Sequence, residues 1–198
     1  MNEMKHSHND KNMPLKLLQG EGVVLSSPPN NCSDKTTIEL ELLESIGTRI
    51  KKEDVELVEK YNENVAEQYY HILDQFSLKC NKEEIDNIVF DIKLIVESEK
   101  KKHNRPRPME LGKDQGFNIN ESVQYNNTSS YPSGHATESM FLSLYFSDRY
   151  PLYKTIFMET AKKISNSRLI SSNNYPTDNL AGQTLAYILY SKYQGINV

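Results

Sequence analysis

The chain has 198 residues, with 23 Lys and Arg against 27 Asp and Glu and a formal net charge of −4. That length fits one domain with a real core. A mixed, slightly acidic composition with no basic arm argues against nucleic acid as a structural partner. No segment approaches the roughly 20 apolar residues that a membrane span needs. We therefore expect neither nucleic-acid binding nor membrane insertion.

The N-terminal part of the chain, residues 1–33, is polar and is predicted to be irregular. It contains no apolar signal region, so we expect a cytoplasmic protein, or a periplasmic one if a signal was removed. Cys32 and Cys80 lie far apart with no metal-ligand partners nearby, which argues against zinc and leaves their redox state open. The functional domain is predicted to span 34–198.

Beyond residue 33, helical patterns alternate with one long loop. The patterns cover 34–48, 53–76, 82–103, 134–148, 151–171 and 177–193. The best-defined helix is 82–103, whose apolar residues recur at helical spacing from Ile85 to Val96. Residues 104–131 are rich in Pro, Gly, Asn and Ser and are predicted to form a long functional loop. No alternating strand pattern occurs, so the predicted fold class is all-α, a single-domain helical bundle.

The first of three motifs combines a lysine at a helix end with two arginines that follow it. Lys100 continues the apolar stripe of its helix, and Arg107 stands seven residues later. A buried lysine needs an anionic partner, and an arginine fork can bind two phosphate oxygens at once. Arg105 lies in a similar Arg-Pro pair, and taken alone it has the pattern of a surface arginine.

The second motif, Pro132-Ser133-Gly134-His135, is predicted to be a loop-to-helix turn. Backbone N–H groups point outward at such a turn, and the helix dipole favours an anion. The Ser133 hydroxyl adds a donor, Gly134 allows close approach, and His135 can give a proton to a leaving oxygen. The alternative is a serine helix cap with an incidental histidine.

The third motif contains Ser167-Arg168, Asn174 and Asp178. Arg168 and Asp178 both lie on the inward stripes of their helices. They either serve a common site or form a buried ion pair with each other. With the lysine, the other arginine and the helix start, this set suits a tetrahedral oxyanion such as phosphate.

Together the three motifs resemble those of the type 2 phosphatidic acid phosphatase superfamily, and within it the soluble class A non-specific acid phosphatases. The family pattern is Lys, six residues, Arg-Pro; then Pro-Ser-Gly-His; then Ser-Arg, five residues, His, three residues, Asp. The resemblance implies a helical bundle of the acid phosphatase and vanadium haloperoxidase type. It also implies a phosphorylated small-molecule substrate, no metal and no cofactor, and it leaves a homodimer open.

The resemblance assigns a role to each matching residue. The phosphoryl oxygens would be held by Lys100, Arg107, Ser133, the Gly134 amide and Arg168. His135 would be the general acid, protonated at mildly acidic pH. Residue 174 would be the histidine that attacks phosphorus, with Asp178 orienting it. The implied reaction is hydrolysis of a phosphomonoester or phosphoanhydride through a phosphohistidine.

Asn174 departs from this pattern, because an amide nitrogen is not a nucleophile. We therefore expect the chain to bind phosphate but to be nearly inactive. It is either a natural non-catalytic protein that binds or sequesters a phosphate ligand, or an enzyme whose histidine was replaced. We favour replacement, because Asp178 has little other reason to persist four residues further on. A vanadate-dependent haloperoxidase is the weakest alternative, since the missing histidine would bind the vanadate.

Overall fold

The computed structural model describes residues 18, 22–62, 64–120 and 128–196. Within them the regular structure is helical and no strand occurs, which confirms the predicted all-α class. The helices are α1 (Asp34–Gly47), α2 (Lys52–Asn62), α3 (Val65–Gln75), α4 (Lys82–His103), α5 (Pro108–Asp114), α6 (Gly134–Arg149), α7 (Lys154–Ile170) and α8 (Pro176–Tyr193). Residues 22–33 contain no helix, and most of the preceding segment lies outside the described residues.

Two predicted elements differ from the structure. The single helix expected over 53–76 is two helices, because the Asn64 side chain accepts a hydrogen bond from the Ala66 amide and begins α3. The loop expected over 104–131 contains α5, which begins with Pro108 in its first turn. Residues 121–127 of that loop lie outside the described residues.

The helix α6 occupies the centre of the bundle and packs against α3, α4, α7 and α8. The apolar stripe predicted for α4 is buried in the main core, together with aromatic rings from α6 and α7 such as Phe141, Phe146 and Phe157. These contacts bring the ends of several helices to one end of the bundle. The polar motif residues lie at that end.

The start of α6 lies directly against α8. The Ser133 amide donates a hydrogen bond to the Asp178 carbonyl oxygen at 3.0 Å. Gly182 makes this approach feasible, because a Cβ added there would lie only 2.4 Å from the Ser133 carbonyl oxygen. A glycine at this position therefore holds the second and third motifs together.

None of the described helices is long and apolar enough to cross a membrane. Cys32 is exposed and Cys80 is partly buried, and both are free thiols. Within the described residues, no group of three or more His, Cys, Asp and Glu side chains is arranged to hold a metal ion.

Candidate active site

A cavity of about 410 Å³ opens at the end of the bundle where the motifs meet. Six of the eight predicted site residues line it, namely Lys100, Arg107, Gly134, His135, Arg168 and Asn174. The other two, Ser133 and Asp178, are fully buried and do not line it. The structure therefore brings all three motifs to one place, although they come from different helices and loops.

Four cationic side chains line the cavity, and the three that belong to the predicted motifs lie on three different segments; the fourth is Lys93. Lys100 comes from the last turn of α4, Arg107 from the segment after it and Arg168 from the last turn of α7. Burial, together with the charge of Arg107, lowers the pKa of Lys100 to about 7. The same two causes lower the pKa of Arg168 to about 10. Positive charges that lower one another's pKa repel each other, so the binding of an anion between them is favoured.

Hydrogen bonds to neighbouring oxygen atoms fix these cations in place. Arg107 donates from Nε to the Thr128 carbonyl oxygen at 2.7 Å and from Nη1 to the Asn173 carbonyl oxygen at 2.6 Å. Arg168 donates from Nη1 to Asn62 Oδ1 at 3.1 Å. Lys100 donates from Nζ to the carbonyl oxygen of Ser129. Carbonyl oxygens orient a cation without cancelling its charge, so the cavity is organised before any ligand arrives.

The start of α6 presents the second motif to the cavity as predicted, except that Ser133 does not line the cavity. Ser133 is the helix cap, and its Oγ accepts a hydrogen bond from the Ala136 amide at 3.4 Å. The capping alternative therefore describes the position that Ser133 takes in this structure. Gly134 and His135 face the cavity.

His135 lies deep in the cavity, with Nε2 at 3.4 Å from the Asn62 carbonyl oxygen. Burial and the charge of Arg168 lower the pKa of His135 to about 3. The neutral imidazole is therefore the favoured form of His135 at mildly acidic pH, whereas the sequence analysis expected the protonated form. A bound anion would oppose the charge of Arg168 and raise that pKa.

Asp178 has an ion-pair partner other than the one considered from the sequence. Its carboxylate accepts hydrogen bonds from Arg105 Nη1 at 2.7 Å and from the Tyr175 amide at 2.9 Å. Arg105 also donates to Glu39 from Nη2 at 2.9 Å. The alternative of an Arg168–Asp178 ion pair is therefore wrong. The surface position expected for Arg105 is also wrong, since only 2% of this residue is exposed.

Asn174 is held between the cavity and this ion pair. Its Nδ2 donates to the Ser130 carbonyl oxygen at 2.6 Å and lies 3.4 Å from Asp178 Oδ2. Asp178 therefore has a structural role, at Arg105 and at the start of α8, that does not depend on a catalytic histidine. The reason given from the sequence for favouring replacement of that histidine is removed by this geometry.

Several residues of the cavity were not identified from the sequence. They are Asn62, Lys93, Glu97, Thr128, Glu138 and Asn173. Spacing alone could have indicated Glu97 and Lys93, which precede Lys100 by about one and two helical turns, and Glu138, which follows His135 by one turn. Asn62 comes from a different helix, and no local pattern points to it.

The chain belongs to the PAP2 superfamily, since the model of that family matches residues 88–191, more than half of the chain. The matched region contains all three motifs, so the resemblance to this superfamily that was inferred from them is confirmed. Among curated proteins, none matches the chain significantly in sequence.

Two solved structures show the same fold. One is a transmembrane PAP2-type phosphatidylglycerolphosphate phosphatase from Bacillus subtilis, with 14% identity, a TM-score of 0.62 and coverage of 83% of this chain and 87% of that one. The other is a bacterial vanadium-dependent iodoperoxidase, with 12% identity and a TM-score of 0.63. The match covers 91% of this chain and 53% of the iodoperoxidase, so this chain spans about half of that protein's length. These likenesses establish a fold of the PAP2 phosphatase and haloperoxidase type.

Proposed function

We propose that the cavity is the site of a metal-independent phosphatase of the acid phosphatase type, which binds the phosphoryl group of a small phosphorylated molecule. The supporting observation is the convergence of Lys100, Arg107 and Arg168 on one cavity beside the start of α6. Their mutual repulsion would be relieved by a phosphate dianion, which arginine binds through paired hydrogen bonds. The amides at the helix start add further donors for the same anion.

Because residue 174 is Asn, we expect this chain to hydrolyse a bound phosphate ester only very slowly. The lone pair of its amide nitrogen is delocalised, so no covalent bond to phosphorus can form at this residue. With histidine there, the nitrogen would attack phosphorus, the P–O bond to the leaving group would break, and His135 would protonate the leaving oxygen. Water would then hydrolyse the phosphohistidine. Three cationic side chains supply the charge stabilisation that a metal provides elsewhere.

The second candidate function is binding or sequestration of a phosphorylated ligand without turnover. It is favoured by the contacts of Asp178 and Asn174, which are both satisfied without any catalytic role. The two candidates share the binding step and differ only in the fate of the bound ligand. Binding is therefore the first step to test.

Isothermal titration calorimetry with inorganic phosphate tests the binding step. Replacing Arg168 with Ala removes a charge-assisted contact, so we expect at least about a tenfold loss of affinity. The matched control is Arg49→Ala, because Arg49 is exposed after α1 and, among the described residues, its side chain bonds only to Ser45. Unchanged affinity in Arg168→Ala, or no binding by the unaltered chain, would contradict the proposal.

A further inference from the structure

Asn62 contacts two residues of the cavity that come from different helices. It is the last residue of α2 and lies outside the region 88–191 that the family model matches. Its side-chain Oδ1 accepts a hydrogen bond from Arg168 Nη1 at 3.1 Å, and its backbone carbonyl oxygen lies 3.4 Å from His135 Nε2. One residue therefore supplies an oxygen atom to the last turn of α7 and another to the first turn of α6.

The position of Asn62 follows from the packing of α2. Val58 and Tyr61 are the buried residues of this helix, and α2 packs against α7. This packing brings the C-terminal end of α2 to the cavity, which Asn62 lines. The last carbonyl groups of a helix have no partner within it, and the helix dipole makes that end partly negative. The end of α2 is therefore suited to holding cationic side chains.

The chemistry of the two contacts suits Arg168 and His135. A guanidinium group only donates hydrogen bonds, and a neutral amide oxygen can orient it without cancelling its charge, as a carboxylate would. A carbonyl oxygen only accepts, so the contact with His135 is a hydrogen bond when Nε2 carries a hydrogen atom. That bond opposes the lowering of the His135 pKa by burial and by the charge of Arg168. Asn62 thus favours the geometry that both residues need at a phosphate site.

We propose that Asn62 is a positioning residue of the phosphate site, which orients Arg168 through its side chain and His135 through its backbone carbonyl group. The inference rests on the proposed function and adds a residue from outside the three motifs. In that reaction the Nε2 hydrogen of His135 would stay with Asn62, and the proton given to the leaving oxygen would come from Nδ1. Asn62 itself is given no contact with the reacting atoms.

A double-mutant cycle with inorganic phosphate, followed by NMR titration, tests the side-chain contact. Asn62→Leu removes the acceptor at nearly constant volume, so we expect it to weaken phosphate binding about fivefold, the size of one hydrogen bond. In an Arg168→Ala protein the same change should weaken binding by less than about twofold, because the group that Asn62 orients is absent.

The matched control is Asn120→Leu. Asn120 is exposed and does not line the cavity, yet its side chain also joins distant segments, since it donates to the Gly47 carbonyl oxygen at 2.9 Å. The control should leave phosphate affinity unchanged. An equal loss from Asn62→Leu with and without Arg168, or no loss at all, would overturn the inference. If Asn62→Leu does not fold, Asn62→Ala replaces it in the same cycle.

The backbone contact is tested by NMR of the imidazole in the isotopically labelled, unaltered chain, without any ligand. We expect His135 to carry its hydrogen on Nε2, and that hydrogen to exchange with water slowly enough to give its own signal, absent in His135→Gln. A hydrogen on Nδ1 instead, or rapid exchange at Nε2, would overturn this part of the inference. If the unaltered chain binds no phosphate, the proposed function fails, while the imidazole signal still decides whether Asn62 positions His135.

Discussion

Arg105 and Arg107 are two residues apart in the chain, yet they have different surroundings. Arg105 is buried between two carboxylates, those of Asp178 and Glu39, at 2.7 and 2.9 Å. Arg107 is oriented by two backbone carbonyl oxygens and lines the cavity. The first arrangement neutralises its arginine inside the protein, and the second directs its arginine toward a ligand.

These two environments divide the site into two layers. The inner triad, formed by Arg105, Glu39 and Asp178, ties α1 to the start of α8, and the Arg105 guanidinium lies 3.7 Å from the centre of the Tyr175 ring. The outer layer contains the cations around the cavity. A buried charge that is fully paired has a structural role. Cations that shift one another's pKa in a cavity are instead suited to binding a ligand.

The largest expected effect comes from restoring a histidine, which tests whether Asp178 can orient an imidazole while it is bound to Arg105. We expect Asn174→His to hydrolyse p-nitrophenyl phosphate at least about a thousandfold faster than the unaltered chain, because a covalent nucleophile is worth several orders of magnitude. Asn174→Gln keeps the amide and should show no gain. Acid quenching should trap a phosphorylated protein. Absence of both turnover and trapped protein would favour the binding function.

The next largest effect separates the two arginines by stability. Removing one partner of a buried ion pair leaves the other charge uncompensated, so Arg105→Met should lower the free energy of unfolding by about 3–5 kcal/mol. Arg107→Met removes hydrogen bonds but also relieves repulsion, so we expect a loss below about 2 kcal/mol. Urea unfolding followed by circular dichroism measures both. Equal losses would contradict the division into two layers.

A smaller effect on stability is expected at the close contact between α6 and α8. Gly182→Ala places a methyl group 2.4 Å from the Ser133 carbonyl oxygen, so α6 and α8 must separate. We expect a loss of about 1–3 kcal/mol in the free energy of unfolding, as in other overpacked sites. Thr184→Ala, on the exposed side of α8, should change it by less than about 0.5 kcal/mol. A Gly182→Ala protein as stable as that control would show that the close approach is not needed.

The smallest effect concerns pH. Lys100 has a pKa of about 7, so its charge is present below that pH and is lost above it. Sulfate keeps its charge over this range and stabilises the protonated lysine, so its affinity should fall about tenfold between pH 6 and pH 8. Glu138 loses a proton over the same range and acts in the same direction. Calorimetry should therefore show a weaker pH dependence in Lys100→Met, and an unchanged dependence there would contradict this account.

The elements and motifs that depend on local sequence were predictable. The bounds of α4 agree with the prediction, because an Asn81 cap and a regular apolar stripe define that helix. The family motifs indicated residues that the fold brings to one cavity. The break before α3 was missed, because a single capping residue, Asn64, outweighed a helical pattern that continues through it.

The features that depend on distant contacts were not predictable. Arg105 has the local pattern of a surface arginine, but its partners Glu39 and Asp178 stand 66 and 73 residues away along the chain. The low pKa of His135 follows from burial beside Arg168, which spacing does not reveal. Glu138 joins Lys93 and Glu97 in the cavity only because α4 packs against α6, and no local pattern shows that packing.

The central claim is that the three cations and the start of α6 bind a phosphoryl group, and a crystal structure grown at saturating phosphate tests it most directly. The account predicts a phosphate ion with its oxygens about 3 Å from Lys100, Arg107, Arg168 and the Gly134 amide. Phosphate bound only elsewhere, with water alone in the cavity, would contradict it.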